Sequence, residues 1–377
     1  MSSERGSQEL NPLLRLGLLG QSVWYDFITR ELITSGKLAR LITEDGLRGM
    51  TSNPTIFDKA IAGSRLYDDD IRRLSDRGRS AREIFEALAV SDVQAACDAF
   101  MPLYRRSGST DGFVSLEVSP TLAHDTEGTT HEAGRLWAAV GRPNAMIKIP
   151  GTRAGLSAIA QSIGAGINVN VTLLFSVDRY AEVIDSFLEG VERRLDRGLP
   201  VQSVASVASF FVSRVDGKVD PLLDRAPDHP LRAKIAIANA WAAYGVFERT
   251  LTTSRWARLA RAGARPQRPL WASTSTKDPR LPDTYYVEAL VAPRTVNTMP
   301  PETLDAYRDH GKPAARVQEG VAAAPAQLME LAQGGIDLGA ITRELEDDGV
   351  AKFAASYAAV LAGIEAKAGA LATAGRR

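Results

Sequence analysis

Cysteine is almost missing from this 377-residue chain: Cys97 is the only one. An intrachain disulfide is thereby excluded, and such usage fits a reducing compartment. Cys97 falls in an amphipathic helical stretch, Ala81–Arg106, and reads as a packed core thiol rather than a nucleophile. Histidine is also scarce. His124, His131, His229 and His310 are scattered without the spacing of zinc ligands, which disfavours a metal enzyme. His124 and His131 flank the acidic stretch His124–Gly128 and read as a surface loop entering a helix. An excess of charge is missing too, because 45 basic residues balance 45 acidic ones. No basic surplus therefore points to nucleic acid or to an anionic membrane. The sequence shows no run of about 18 apolar residues, so no spanning helix is expected. The polar residues 1–10 lack the apolar stretch of a signal peptide and read as a mobile segment. With 45% apolar and 24% charged residues, the default is a soluble cytoplasmic globular protein.

Lysine is the scarcer cation, nine against thirty-six arginines. One of the nine, Lys148, sits inside an apolar segment, Asn144-Ala145-Met146-Ile147-Lys148-Ile149-Pro150. Loss of hydration there disfavours the ammonium and makes a neutral, nucleophilic amine accessible, as attack on a carbonyl requires. The same placement also fits a lysine snorkelling from an edge strand, and the segment alone does not separate the two.

Strand-like and helix-like segments alternate from about residue 20 to residue 300. Strands are expected at Ser22–Phe27, Leu47–Ser52, Gly112–Val118, Asn144–Ile149, Ile167–Leu174, Ser203–Val212, Pro269–Ser273 and Tyr286–Ala292. Helical patterns lie between them, among them Thr130–Val140, Thr152–Ile163, Val177–Leu195 and Leu231–Arg261. This is an α/β pattern, and eight strands joined by helices fit a closed (β/α)8 TIM barrel. Ala-rich helices follow Pro300, through Ala315–Gly334 and Ile341–Ala368. Pro-containing loops at Arg225–Pro230 and Ala264–Pro269 are too short to separate two cores, so residues 11–370 read as one domain with mobile chain ends.

Side-chain alternation supports the barrel. In Ile167-Asn168-Val169-Asn170-Val171-Thr172 one face is apolar and the other carries amides and a hydroxyl. A parallel strand covered by helices on both faces would be apolar throughout. Ser115 and Glu117 repeat the pattern opposite Val114, Leu116 and Val118. A barrel interior lined by functional groups accounts for it, with the site at the C-terminal strand ends.

Polar residues then occupy strand ends in order: Asp26, Asn53, Glu117, Lys148, Asn170, Thr172, Ser209 and Arg214. Together with Thr51-Ser52-Asn53-Pro54, Asn170-Val171-Thr172-Leu173-Leu174-Phe175 and Ser209-Phe210-Phe211-Val212-Ser213-Arg214, this order resembles the transaldolase family, in its longer bacterial branch, from about Val23 to Leu290. The resemblance implies a cytoplasmic pentose phosphate pathway enzyme with no cofactor. It implies a dihydroxyacetone unit moved by Schiff-base chemistry from sedoheptulose 7-phosphate to glyceraldehyde 3-phosphate, with the sugar phosphates as partners. It assigns imine formation to Lys148, proton transfer at the C4 hydroxyl to Asp26, and a positioned water to Glu117 and Thr172. It assigns substrate hydroxyls to Asn53 and Asn170, and the phosphate to Ser209, Arg214 and Ser273.

Read from the residues alone, Asp26 is equally a helix N-cap and Asn53-Pro54 a turn. Glu117 also reads as a buried carboxylate paired with Lys148 or an arginine, a pairing compatible with catalysis, and Arg214 equally as a partner of Asp216. The chain departs from the family at Ser275, where a second phosphate-binding arginine is expected. Lys277 is the candidate replacement, or else an exposed loop lysine. A fructose 6-phosphate aldolase-like enzyme and a non-catalytic sugar-phosphate-binding barrel are the alternatives, the first disfavoured by Glu117. Monomer and homodimer both remain open.

Overall fold

Eight short strands pair in chain order until the last meets the first. They are β1 (Gln21–Tyr25), β2 (Gly49–Met50), β3 (Phe113–Glu117), β4 (Ala145–Pro150), β5 (Val169–Leu174), β6 (Ser206–Phe211), β7 (Arg268–Ala272) and β8 (Thr295–Met299). All pairings are parallel, and β8 against β1 closes the barrel. The computed structural model describes residues 10–223 and 229–374. All but Leu10 of the expected mobile N-terminal segment lies outside them, as do residues 225–228 of the expected loop and the last three residues.

Seven strands fall where alternation places them, and the eighth does not. Tyr286–Ala292 was expected to be a strand, but Tyr285–Ala289 is helical and β8 follows it. The aromatic and β-branched residues that suggested a strand serve a helix face instead. Tyr286 and Val287 are buried, and the Tyr286 hydroxyl donates to Asp216 at 2.9 Å. The true strand, Thr295-Val296-Asn297-Thr298-Met299, is too polar to stand out. The long helical pattern Leu231–Arg261 also divides, into Ile235–Leu251 and Ser254–Arg261. Thr253 starts the second piece by accepting from the Trp256 N–H at 3.2 Å.

The alternation has its expected consequence. Ile147, Ile149, Val169 and Val171 are fully buried between the barrel and its helices, each stabilising the fold by about 1.5–3 kcal/mol. The register sets Glu117 beside Lys148 and Lys148 beside Asn170. At the C-terminal end of β5 the ladder with β6 slips between Val171 and Leu174, and Leu173 adopts a positive φ of 60°. Such a bulge re-aims the neighbouring side chains, and Thr172 is one of them.

The last helix, Leu338–Ala374, crosses the C-terminal mouth of the barrel. Lys218 holds it on one side through Glu344 at 2.5 Å and Asp348 at 3.3 Å. On the other side Ser356 meets Thr55 at 2.8 Å, and Lys367 pairs with Asp68 at 2.8 Å. Gly349 lets it approach closely, because a Cβ there would lie 2.9 Å from Leu173 Cδ2. The helix has the length and composition to cross a membrane, which the expectation of no sufficiently apolar stretch overlooked. Its many alanines supply that hydropathy, while Leu345, Phe353, Val360 and Ile364 are buried.

Asn168 shows how amides stitch the opposite end of the barrel. Its Nδ2 donates to the Pro143 and Ala145 carbonyls at 2.9 and 3.0 Å, and its Oδ1 accepts from the Ala205 N–H at 2.8 Å. Asn168→Ala strands these buried groups, so the stability lost should be on the order of 2–3 kcal/mol. Urea denaturation checks this, and an unchanged midpoint would contradict it.

Candidate active site

The barrel mouth holds a cavity of about 210 Å³ lined by Asp26, Asn53, Lys148, Thr172, Ser209 and Arg214, with Ser273, Ser275 and Lys277 on one wall. Of the expected site residues, only Glu117 and Asn170 are not part of the lining.

Lys148 is 4% exposed, and a closed barrel offers no edge strand from which it could snorkel. Its Nζ donates to the Ser52 carbonyl at 3.2 Å and stands 3.6 Å from Glu117 Oε2. The second distance is too long for a good hydrogen bond. Neither Glu117 oxygen has a hydrogen-bond partner among the described residues. Burial pushes this carboxyl up to about 7; the Lys148 charge opposes the shift and Asp26 adds to it. Pairing with Lys148, read from sequence as an alternative to function, is therefore present at the centre of the site. Thr172 is fully buried, and its hydroxyl also lacks a partner.

Asp26 follows β1 directly, where its N–H donates to the Met299 carbonyl at 2.8 Å. Its Oδ1 accepts from the Thr51 hydroxyl at 2.7 Å. Burial raises its pKa, against the pull of Lys148, Thr51 and Arg214. It is not a helix cap: the next helix, Arg30–Thr34, is capped by Thr29. Asn53 does cap one. Its Oδ1 accepts from the Ile56 N–H at 3.1 Å, which leaves its Nδ2 as the end available to the cavity.

Asn170 is fully buried beneath these groups. Its Nδ2 donates to Ser115 Oγ at 3.0 Å, and its Oδ1 accepts from Ser209 Oγ at 2.7 Å. It thus ties β3, β5 and β6 together under the cavity and fixes the Ser209 side chain.

Arg214 does not pair with Asp216, whose carboxylate instead takes the Ala236 N–H at 2.7 Å and the Tyr286 hydroxyl at 2.9 Å. The Arg214 guanidinium lies over the Phe211 ring, 5.0 Å from its centroid, and burial lowers its pKa. It makes no hydrogen bond or ion pair among the described residues, so its planar fork is free to hold an anion. Ser273 takes a positive φ of 56°, and its carbonyl accepts from the Ser213 N–H at 3.0 Å. The turn carries Ser275 and the exposed Lys277 into the cavity wall.

Several lining residues were not anticipated, among them Thr51, Thr298, Glu302 and Phe353. Thr51 and Thr298 share a 2.7 Å hydroxyl contact that fixes the donor to Asp26; Thr51 lies near the end of an expected strand, whereas Thr298 belongs to the strand that alternation did not reveal. Phe353 lies on the C-terminal helix with its ring centroid 5.7 Å from Lys148 Nζ. A phenylalanine in an Ala-rich helix carries no local sign of such a place.

A family model described as transaldolase/fructose-6-phosphate aldolase matches residues 23–364, beyond the extent read from sequence and into the helix that bears Phe353. A transaldolase of Acidothermus cellulolyticus is 52% identical over 357 residues, 94% of this chain and 96% of the relative. A transaldolase of Parafrankia sp. is 49% identical over 366 residues, covering 96% and 99% of the two chains. A protein named transaldolase 2 from Nostoc sp. is 45% identical over 373 residues, covering 95% and 98%. With its eightfold barrel and this similarity over nearly its whole length, the chain belongs to the transaldolase/fructose-6-phosphate aldolase family.

Proposed function

We propose that the protein transfers a dihydroxyacetone unit from sedoheptulose 7-phosphate to glyceraldehyde 3-phosphate, yielding erythrose 4-phosphate and fructose 6-phosphate. The observation that carries this reading is the buried Lys148 amine, which opens into a cavity beside two carboxylates whose pKa values burial raises. The neutral amine attacks the ketose carbonyl, and the carbinolamine hydroxyl takes a proton from Glu117 through a held water and leaves as water, giving a cationic imine and the Glu117 carboxylate. Asp26 takes the proton of the C4 hydroxyl, the C3–C4 bond breaks, and its electron pair moves toward the imine nitrogen. An aldose phosphate leaves and an enamine stays on Lys148. An incoming aldehyde then reverses these steps.

Glu117 and Thr172 have the unpartnered oxygens needed to hold the water that carries protons while the imine forms and hydrolyses. Arg214 takes the substrate phosphate, with Lys277 and the hydroxyls of Ser273 and Ser275 in place of a second arginine. Ser209, held by Asn170, and the free amide end of Asn53 meet substrate oxygens. Phe353 favours transfer over release. An aromatic ring above the lysine covers the enamine with apolar surface and keeps protonating water away from it.

Borohydride reduction with fructose 6-phosphate should leave an adduct on the Lys148 peptide, read by mass spectrometry, and none in Lys148→Met. In Lys277→Ala the same adduct should need more substrate. An adduct on another lysine would overturn the assignment.

The Glu117 carboxylate forms above its raised pKa, so a step that needs it should speed up as pH rises through about 7. The pH profile of turnover should show that inflection in the wild type and lose it in Glu117→Gln. An inflection that survives the substitution belongs to another group.

Phe353→Ala should increase, several-fold, the free dihydroxyacetone formed from fructose 6-phosphate when no acceptor aldehyde is present, relative to the transfer rate. An unchanged ratio would show that the ring does not shield the intermediate.

A further inference from the structure

We propose that the foot of the barrel, at the end opposite Lys148, is a second binding site for a small organic anion with an apolar body. A cavity of about 310 Å³ opens there among the N-terminal ends of β3, β4, β6 and β7. Its volume lies at the lower end of the range of small-molecule pockets, roughly 300–1,000 Å³. Apolar groups line it, among them Phe113, Met146 and Ala205 from the strands and Trp256 from the helix Ser254–Arg261. Phe113 and Met146 are 1% exposed, so the pocket reaches into the packed barrel interior.

The charge at the pocket has one sign. Arg265, Arg268 and Arg294 belong to the lining, and no acidic residue does among those described. Their commitments differ. Arg268 is spent on structure: it donates to Asp111 Oδ1 at 3.2 Å, Ser22 Oγ at 2.9 Å and the Thr110 carbonyl at 2.9 Å. Arg265 donates to the Ser109 carbonyl through one nitrogen and keeps its other donors. The Arg294 side chain makes no hydrogen bond or ion pair among the described residues. Its backbone is nonetheless held, with φ at 60° and its N–H donating to the Gly20 carbonyl at 2.9 Å. An exposed arginine fixed in an uncommon conformation beside an apolar recess is placed to clamp an anion in a planar fork.

The apolar floor selects against the heavily hydroxylated phosphates that suit the mouth. Aromatic or branched carboxylates match it, with the ring or branch on Met146 and Trp256 and the carboxylate at Arg294 and Arg265. Met146 precedes Lys148 by two residues and shares its face of β4. A ligand seated at the foot therefore touches the strand that carries the reactive amine, one layer below it.

The test is isothermal titration of the full chain with naphthalene-2-carboxylate, and with its neutral amide as the uncharged control. Saturable one-to-one binding of the acid is expected. It should weaken by about tenfold or more in Arg294→Ala and for the amide, in line with losing a charge-assisted bond. Ala205→Phe should abolish binding by filling the recess, and retained aldehyde transfer certifies each variant as folded. Absence of saturable binding would overturn the proposal. Equal affinity for Arg294→Ala and wild type would do the same, as would displacement of the acid by fructose 6-phosphate, which places it in the mouth.

Discussion

A buried lysine and a buried glutamate 3.6 Å apart, Lys148 and Glu117, set the terms for everything around them. Removing either ion from water costs several kcal/mol, and in such a pair each partner is the main compensation for the other. Neither partner is saturated here. Lys148 has one hydrogen bond, to the Ser52 carbonyl, and Glu117 has none among the described residues. A fully satisfied pair would be a structural strut. An under-satisfied one leaves donors on Lys148 and both oxygens of Glu117 unused by the fold. The surrounding elements preserve that condition: Ser52 is held by the Ser115 carbonyl at 2.7 Å, and Phe353 roofs the lysine.

The layer beneath explains why the site can be under-satisfied without collapsing. Asn170 spends its amide on Ser115 and Ser209, so three strands are locked just below the reacting groups. Polar satisfaction is concentrated in this layer and withheld from the one above it. The strained residues follow the same division. Leu173 and Ser273 both adopt positive φ at the ends of strands that carry site residues, where such strain persists only because the surrounding structure holds it.

Much of this was legible in the chain because barrel strands alternate with a period of two. Lys148, Glu117, Asn170 and Thr172 announce themselves as polar residues on the inner face of apolar strands. Arg214 and Asp26 needed the order of motifs along the chain, since each alone fits a bland structural role. What stayed hidden was non-local. β8 has too few apolar residues to show its alternation, and the aromatic Tyr285–Ala289 segment beside it mimics a strand. Phe353 meets Lys148 because of the path of a helix across the mouth, and no spacing within Leu338–Ala374 encodes that path. Asn53-Pro54 read as a turn or, by resemblance, as a substrate contact, and the helix cap that Asn53 makes went unread.

The helix that roofs the lysine follows the whole barrel along the chain. Domains begin to organise from the N-terminus while synthesis continues, and the eight strands are complete by Met299. A nascent barrel can therefore close, with Lys148 in place, before Phe353 has left the ribosome. Until then the amine faces solvent where the finished fold sets an aromatic ring. Late arrival of the roof makes synthesis of this helix the step that covers the lysine.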